Sequence, residues 1–450
     1  MVAAPGYAGC GACWGRADGA GIQGGFVSES PSPRQLLEAG RVADAERAYA
    51  SQLEIDPANV EALNVLALAA LRDGSPARGL ELLHRAIAAA PNDPTSHHHL
   101  GRVYESTGEL TQAVEEHAAA VRLEPAFFVP RLHLATCLER LGKQVQAVVQ
   151  YKRALDDAQR LGRWLNPATT PPALRAVVSH AVVAVRNGTH QLFDTLFAPL
   201  RARYGPDSMR RVERCVRIYL NEEPAVYPDP RQRPSFLLFP GLPTSPYIDR
   251  ARLDWLEFME SQTRPILAEL QRLLPSPSGR ERVFPTDALE AQNLRGLDEP
   301  PSWNGYYFYR HGERRDDNCS NCPDTARTLD ALPLCHVREH GPEVLFSVFT
   351  AGTHLLPHRG VTNTRVVGHL PLIVPEKCAL SVGGELHEWQ TGRVVVFDDT
   401  YEHEAWNRSR QTRVVLIFDT WNPYLTEAER AAVTDLVGAI GDFRRAVREA

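Results

Sequence analysis

A period of 34 residues runs through the early part of this chain and limits what it can fold into. Prolines recur at Pro57, Pro91 and Pro125, and glycines at Gly40, Gly74, Gly108 and Gly142. The same spacing joins Ala45, Gly79, Ala113 and Ala147, and again Ala86, Ala120 and Ala154. Within a period, Leu63, Leu66 and Ala70, then Leu80 and Leu83, follow helical spacing. Each unit therefore reads as a helical hairpin. Glycine stands in the turn, where a residue without Cβ takes positive φ readily. The small residue after it lets the two helices approach, and proline opens the next unit where a missing N–H costs little. Three units are clear, and a partial one over residues 33–56 precedes them.

This pattern resembles the tetratricopeptide repeat, whose hairpins stack into a curved solenoid. The architecture implies a protein or peptide partner, with a structural arm or dimerisation element as the alternative. The run His97-His98-His99 falls inside a repeat helix. Successive helix residues point in different directions, so the run is expected as a solvated face rather than a shared metal site.

After the repeats the texture changes. The chain stays helical from about 155 to 225 but loses the period. Pro224, Pro228, Pro230, Pro234, Pro240, Pro243 and Pro246 then break regular structure, which places a linker there. Helix resumes over 250–274, interrupted at Pro265. Beyond about Phe284, short runs rich in Val, Ile, Phe and Tyr alternate with turn residues: 306–309, 344–348, 366–374, 379–382, 394–397 and 414–418. Such a set suggests an antiparallel double-sheet jelly roll. The expected fold is α + β in two domains, an N-terminal all-α solenoid and a C-terminal double-stranded β-helix of jelly-roll, cupin-like form. The expected boundaries are a mobile tail over 1–31, repeats over 32–158, a helical connector and proline-rich linker over 159–239, a catalytic domain over 240–425 and a terminal helix over 426–450. A chain of 450 residues suits two or three domains.

Composition removes several classes. The net charge of −6, without a long basic run, gives no reason to expect nucleic acid. No apolar stretch approaches the roughly 18–20 residues of a membrane span, and the first thirty residues do not read as a signal peptide. Eight cysteines are too sparse for a disulfide scaffold and fit a reducing cytoplasm. Cys10/Cys13 and Cys319/Cys322 form CxxC pairs, the second followed by Cys335-His336. A Cys₃His zinc site is conceivable there, but ordinary loop thiols are the expectation.

The chemistry lies late in the chain. His358 and His403 are far enough apart to meet across a jelly roll and offer two imidazoles to a borderline metal. Arg413, on the following strand, has the fork to grip a carboxylate bidentately. A ferrous ion and a dicarboxylic acid would suit such a set. The usual triad carboxylate two residues after the first His is missing, because Gly360 stands there. Spacing alone therefore leaves zinc or nickel, or no metal, open. Asp398 and Asp399 suit either orientation of an imidazole or turn chemistry. His354 and His387 read as surface or packing residues, and Trp389, Trp406 and Trp421 as core or rim.

The segments Pro357-His358-Arg359-Gly360 and 397–404 resemble the aspartyl/asparaginyl β-hydroxylase family, with the likeness covering roughly 240–423. In that family a Gly replaces the triad carboxylate, and iron is held by two His and water. The resemblance implies Fe(II) at His358 and His403. It implies 2-oxoglutarate at Ser347 and Arg413 through its distal carboxylate and at His369 through C1, with O2 as the other substrate. Animal members carry a second Arg at the position of Val367, which leaves Arg365 here for cosubstrate or substrate. The block 303–309 with Gly312, Asn318 and Cys322-Pro323 is more loosely similar and implies a cleft wall. The implied reaction hydroxylates an Asp or Asn β-carbon in a peptide, with succinate and CO2 as co-products. The alternatives are a lipid or small-molecule substrate, or a repeat-based binding scaffold with a degenerate jelly roll.

Overall fold

The computed structural model describes residues 31–276, 278–297 and 300–450. Cys10/Cys13 and almost all of the expected tail lie outside them. The chain divides into two compact units, one running to Asp194 and including Asp442–Ala450, the other Thr195–Gly441.

The first unit is built from helical hairpins. Its helices are α1 (Pro33–Glu38), α2 (Val42–Ile55), α3 (Val60–Arg72), α4 (Pro76–Ala89), α5 (Pro94–Thr107), α6 (Leu110–Leu123), α7 (Phe128–Arg140) and α8 (Gln144–Arg160). Gly40, Gly74, Gly108 and Gly142 all stand between paired helices at φ between 73° and 85°, the left-handed turn expected of them. Asn59 and Asp93 cap α3 and α5 by accepting from Ala62 N and Ser96 N. Ala45, Ala113, Ala147, Ala86, Ala120 and Ala154 are all buried, so the periodic small residues are the helix contacts. A further helix, α9 (Arg175–Tyr204), carries the division between the units within it.

The second unit has helices α10 (Arg210–Tyr219), α11 (Leu256–Ser261), α12 (Thr263–Leu273), α13 (Asp287–Asn293), α14 (Asp316–Asn321) and α15 (Pro323–Asp330), and α16 (Glu427–Glu449) begins in it. The helix expected over 250–274 breaks at Gln262, which puts Pro265 in the first turn of α12, where its missing N–H is tolerated.

Its strands are β1 (Arg280–Arg282), β2 (Leu294–Arg295), β3 (Trp303–Arg310), β4 (Glu313–Arg314), β5 (Val344–Phe349), β6 (His354–His358), β7 (Arg365–Ile373), β8 (Cys378–Val382), β9 (Glu385–Glu388), β10 (Val395–Phe397), β11 (His403–Asn407) and β12 (Arg413–Trp421). The larger sheet runs β1-β3-β5-β12-β7-β10, with β4 beside β3, and the smaller runs β2-β6-β11-β8-β9. From β5 onward the chain crosses repeatedly between the two sheets, so β5 to β12 form the expected double-sheet jelly roll. Strands β1, β2, β4, β6, β9 and β11 are additions to the sequence expectation. In β6, β9 and β11, polar, half-exposed residues hide the alternation that marked the larger sheet.

Alternation sorts the larger sheet into two faces. Phe346, Val348, Leu370, Leu416 and Phe418 pack with Met259, Ile266 and Leu270 of the helices. Phe349, Val367, Phe397 and Val415 face Leu355, Leu380 and Ala405 of the smaller sheet.

The proline-rich stretch, expected as a linker ending at 239, is a strap on the second unit. Leu237, Leu238, Phe239 and Leu242 are buried, and bridges join Gln232 to Tyr401, Leu237 to Thr362 and Tyr247 to Phe397. Prolines prevent a regular ladder but not burial, and side chains supply the missing partners. The Asn363 amide accepts from Phe239 N at 2.7 Å and donates to Phe239 O at 2.9 Å. Asn363→Ala would leave both backbone groups unsatisfied. The second unit is expected to lose about 2–4 kcal/mol, read by denaturant unfolding of the full chain; an unchanged midpoint would refute the strap's role.

Candidate active site

The two candidate metal ligands sit directly opposite each other. Strands β6 and β11 pair antiparallel with His358 across from His403, and the ring centroids are 4.0 Å apart. His358 Nδ1 hydrogen-bonds Leu356 O at 2.9 Å and His403 Nδ1 hydrogen-bonds Tyr401 O at 3.0 Å. A carbonyl accepts, so each Nδ1 carries the proton and each Nε2 keeps its lone pair, the tautomer a metal ligand needs. Burial lowers the pKa of His358, and burial together with the neighbouring His358 takes His403 down to about 3. Both rings are thus neutral at physiological pH.

Gly360 has a steric explanation. A Cβ built there would lie 2.1 Å from the Asp399 carboxyl carbon. No carboxylate can be carried at this position while Asp399 occupies the space. Among the described residues, no third His, Cys, Asp or Glu joins His358 and His403 in a compact group of ligand atoms.

The larger sheet supplies the other half of the site. Ser347, His369 and Arg413 come from β5, β7 and β12, all on the face turned toward β6 and β11. Arg413 is 1% exposed, lies over the Phe349 and Trp389 rings, and donates from Nη1 to Ser347 Oγ at 3.1 Å. Trp303 Nε1 donates to the same Oγ at 3.0 Å. No carboxylate of the described residues pairs with Arg413, and its Nε has no partner. Burial pushes its pKa down, which is the cost of a charge held without a counter-ion. His369 is buried with Nδ1 unsatisfied, 5.0 Å from the Phe397 ring centroid.

Arg365 behaves differently. Its guanidinium is paired with Asp419 and lies 3.4 Å from Asp399 Oδ2. Burial pushes Asp399 up to about 7, with Arg365 pulling the other way. All six candidates, Ser347, His358, Arg365, His369, His403 and Arg413, line one cavity of about 200 Å³.

Sequence reasoning missed Asp419 and the roles of Trp303 and Trp389. Asp419 lies an even number of residues after Arg413 on one strand, so period-2 alternation was a usable signal. Val367 lines the same cavity between Arg365 and His369. Asp398 is turn chemistry: it accepts from Thr400 N at 2.9 Å and Gln232 Nε2 at 2.6 Å. His354 pairs with Glu404, and His387 packs near Tyr247. Cys319, Cys322 and Cys335 are buried free thiols that form no such ligand group. The histidine run departs from expectation: His98 and His99 are buried between helices, not solvated.

The double-sheet domain thus brings two facing imidazoles and a buried guanidinium without a carboxylate partner into one cavity. The sequence model of the aspartyl/asparaginyl beta-hydroxylase family matches residues 260–423, and that of the tetratricopeptide repeat matches 36–102. The chain is 32% identical to mouse aspartate beta-hydroxylase domain-containing protein 2 over 246 residues, covering 53% of this chain and 68% of the relative. The human protein of that name is also 32% identical, with 63% of its length spanned, a little under two thirds. The ornithine lipid ester-linked acyl 2-hydroxylase of Rhizobium tropici is 32% identical over 195 residues, covering 43% of this chain and 66% of the relative. The chain belongs to the aspartyl/asparaginyl β-hydroxylase family and carries tetratricopeptide repeats ahead of that domain. No described helix is long and apolar enough to cross a membrane.

The Gly360–Asp399 contact gives a direct test. Gly360→Ala is expected to cost about 1–3 kcal/mol through overpacking. In an Asp399→Ala background the cost should largely vanish. Unfolding free energies in a double-mutant cycle check this, and additivity within about 0.5 kcal/mol would sink the steric account.

Proposed function

We propose that this protein is an Fe(II)- and 2-oxoglutarate-dependent hydroxylase acting on an Asp or Asn β-carbon of a peptide or protein recruited by the repeats. The observation that carries the reading is the pairing of two metal-competent imidazoles with a buried guanidinium that has no carboxylate of its own, in one cavity. The donor set fits both groups. Nε2 of His358 and His403 would hold the metal, and imidazole with open positions suits ferrous iron. A bound ferrous ion would supply dioxygen activation, coupling conversion of 2-oxoglutarate to succinate and CO2 to insertion of oxygen into a substrate C–H bond.

The chain's own residues do the positioning. Arg413 offers its charged fork to the distal carboxylate, and Ser347, held by Trp303, adds a hydroxyl beside it. His369 brings its unsatisfied Nδ1 to the other end of the diacid. Phe349, Leu355, Leu380 and Phe397 exclude water from the walls. Arg365, already neutralised by Asp419 and Asp399, does not compete for the cosubstrate's charge and is free to shape the substrate side. Cytoplasmic placement is part of the same reading.

The test is 2-oxoglutarate turnover to succinate with Fe(II) and Asp- or Asn-containing peptides, with products read by mass spectrometry. A hydroxylated Asp or Asn is expected. Hydroxylation of an acyl lipid instead would move the substrate toward that of the Rhizobium relative, and no iron binding or turnover would leave a binding scaffold. His358→Ala is expected to abolish turnover while circular dichroism stays unchanged. Arg413→Leu should raise the KM for 2-oxoglutarate roughly 100-fold or more, as expected for loss of one member of a buried charge pair. An unchanged KM would remove Arg413 from the cosubstrate site.

A further inference from the structure

A second cluster of ligand-type side chains lies in the repeats. Glu105, His117 and His133 come from α5, α6 and α7, and one ligand atom of each lies within 4.8 Å of the others. Glu105 Oε2 is 3.0 Å from His133 Nδ1 and 3.9 Å from His117 Nε2. Two ligands bound at about 2.0–2.1 Å to one tetrahedral ion stand roughly 3.3 Å apart, so these separations bracket a metal's requirement. His98 stands behind, with Nδ1 3.2 Å from His117 Nδ1. His117 is 0% exposed, and its Nε2 faces the Glu105 carboxylate without a hydrogen bond. His133 Nε2 is also buried and unsatisfied. Burial keeps His98, His117 and His133 below the usual imidazole pKa, which leaves lone pairs available.

The repeat supplies its own control. One period away, His117 aligns with Leu83 and Tyr151, His133 with His99, and His98 with Asn64 and Leu132. In both neighbouring units the His117 position is filled by an apolar or aromatic residue, as a helical core requires. Gly101 replaces the Ala67 and Ala135 of its neighbours, and a Cβ there would come within 2.7 Å of the His117 ring. A mid-helix glycine costs roughly 0.5–1 kcal/mol against alanine, yet it makes room for this imidazole. A lone hydrogen-bonded histidine does not explain why a buried His117 replaces the Leu83 and Tyr151 of its neighbours, nor why its Nε2 faces a carboxylate unsatisfied.

We propose that Glu105, His117 and His133 form a divalent transition-metal site, of the zinc class, that staples α5, α6 and α7 together. His98 would orient His117 through its Nδ1, the usual arrangement for a ligand imidazole. Two imidazoles and one carboxylate suit zinc, with a fourth position for water. Arg102, whose Nε is 3.8 Å from Glu105 Oε2, would compete for the carboxylate and keep the affinity moderate.

The test uses the full chain, purified without a polyhistidine tag and carrying His358→Ala and His403→Ala so that the jelly roll adds no metal. Zinc is titrated calorimetrically, and Co2+ is used as a spectroscopic probe. The expected result is one zinc equivalent that is lost in His117→Leu/His133→Val, residues taken from the corresponding positions of earlier repeats. Tetrahedral Co2+ absorption and a zinc-dependent rise in the unfolding temperature should be lost with it. Glu105→Gln, which keeps side-chain shape, should weaken zinc at least tenfold even if the double variant folds poorly. Absence of zinc uptake at micromolar concentration overturns the proposal, as does uptake indifferent to all three substitutions. Neither result bears on the jelly-roll reading, whose ligands are absent from the tested chain.

Discussion

The register of β12 is the constraint on which the second unit depends. This strand pairs with β5 on one side and β7 on the other, so its alternation is imposed on both neighbours. Val414, Leu416 and Phe418 enter the core shared with the helices, while Arg413, Ile417 and Asp419 face the cavity. A slip by one residue would bury the guanidinium among the helices and turn three core side chains toward the site. The hydrophobic demand of one face therefore fixes where the charge of the other face stands. The same pairing sets Ser347 and His369, opposite Val415 and Ile417, on the face that carries Arg413.

Charge is distributed unevenly within the cavity. Arg365 is matched by Asp419 and Asp399, so that region carries little net field. Arg413 has only a hydroxyl and two aromatic faces. A buried cation in this state is costly unless an anion arrives, and the cost is lowered by any ligand that brings one. The two arginines thus differ: Arg365 is held by carboxylates of the chain itself, and among the described residues Arg413 has none. Gly360 belongs to the same economy, because the Asp399 carboxyl that pairs with Arg365 fills the volume a side chain would need.

Much of this was legible in the sequence, and the reason differs by element. The 34-residue period reports local helix contacts, and its glycines and alanines stand where the hairpin requires them. The larger sheet declared itself through β-branched alternation. Strands β6 and β11 did not, because their residues are chosen for the site and for half-exposed positions rather than for a core. Likewise, Pro224 to Pro246 announce irregular backbone but not its destination, which depends on Asn363 more than a hundred residues later. The resemblance supplied the candidate ligand residues; their tautomers and the pairing of Arg365 required the folded geometry.

The histidine run shows where adjacency in sequence misleads. His97, His98 and His99 cannot share an ion, because consecutive helix positions diverge, and that reasoning holds. What it leaves out is that each position meets different side chains of the neighbouring helices. His97 meets Glu116 of α6, His99 meets Asn64 of α3, and His98 meets His117 of α6 with His133 of α7 nearby. A repeat array brings residues a fraction of a period apart into contact, so the useful comparison is with the same position in neighbouring units. By that comparison His117 is the anomaly, a buried imidazole where the adjoining units carry Leu83 and Tyr151, and an anomaly at a buried position needs a physical compensation. Packing alone would be served better by Leu83, the residue that the preceding unit already uses.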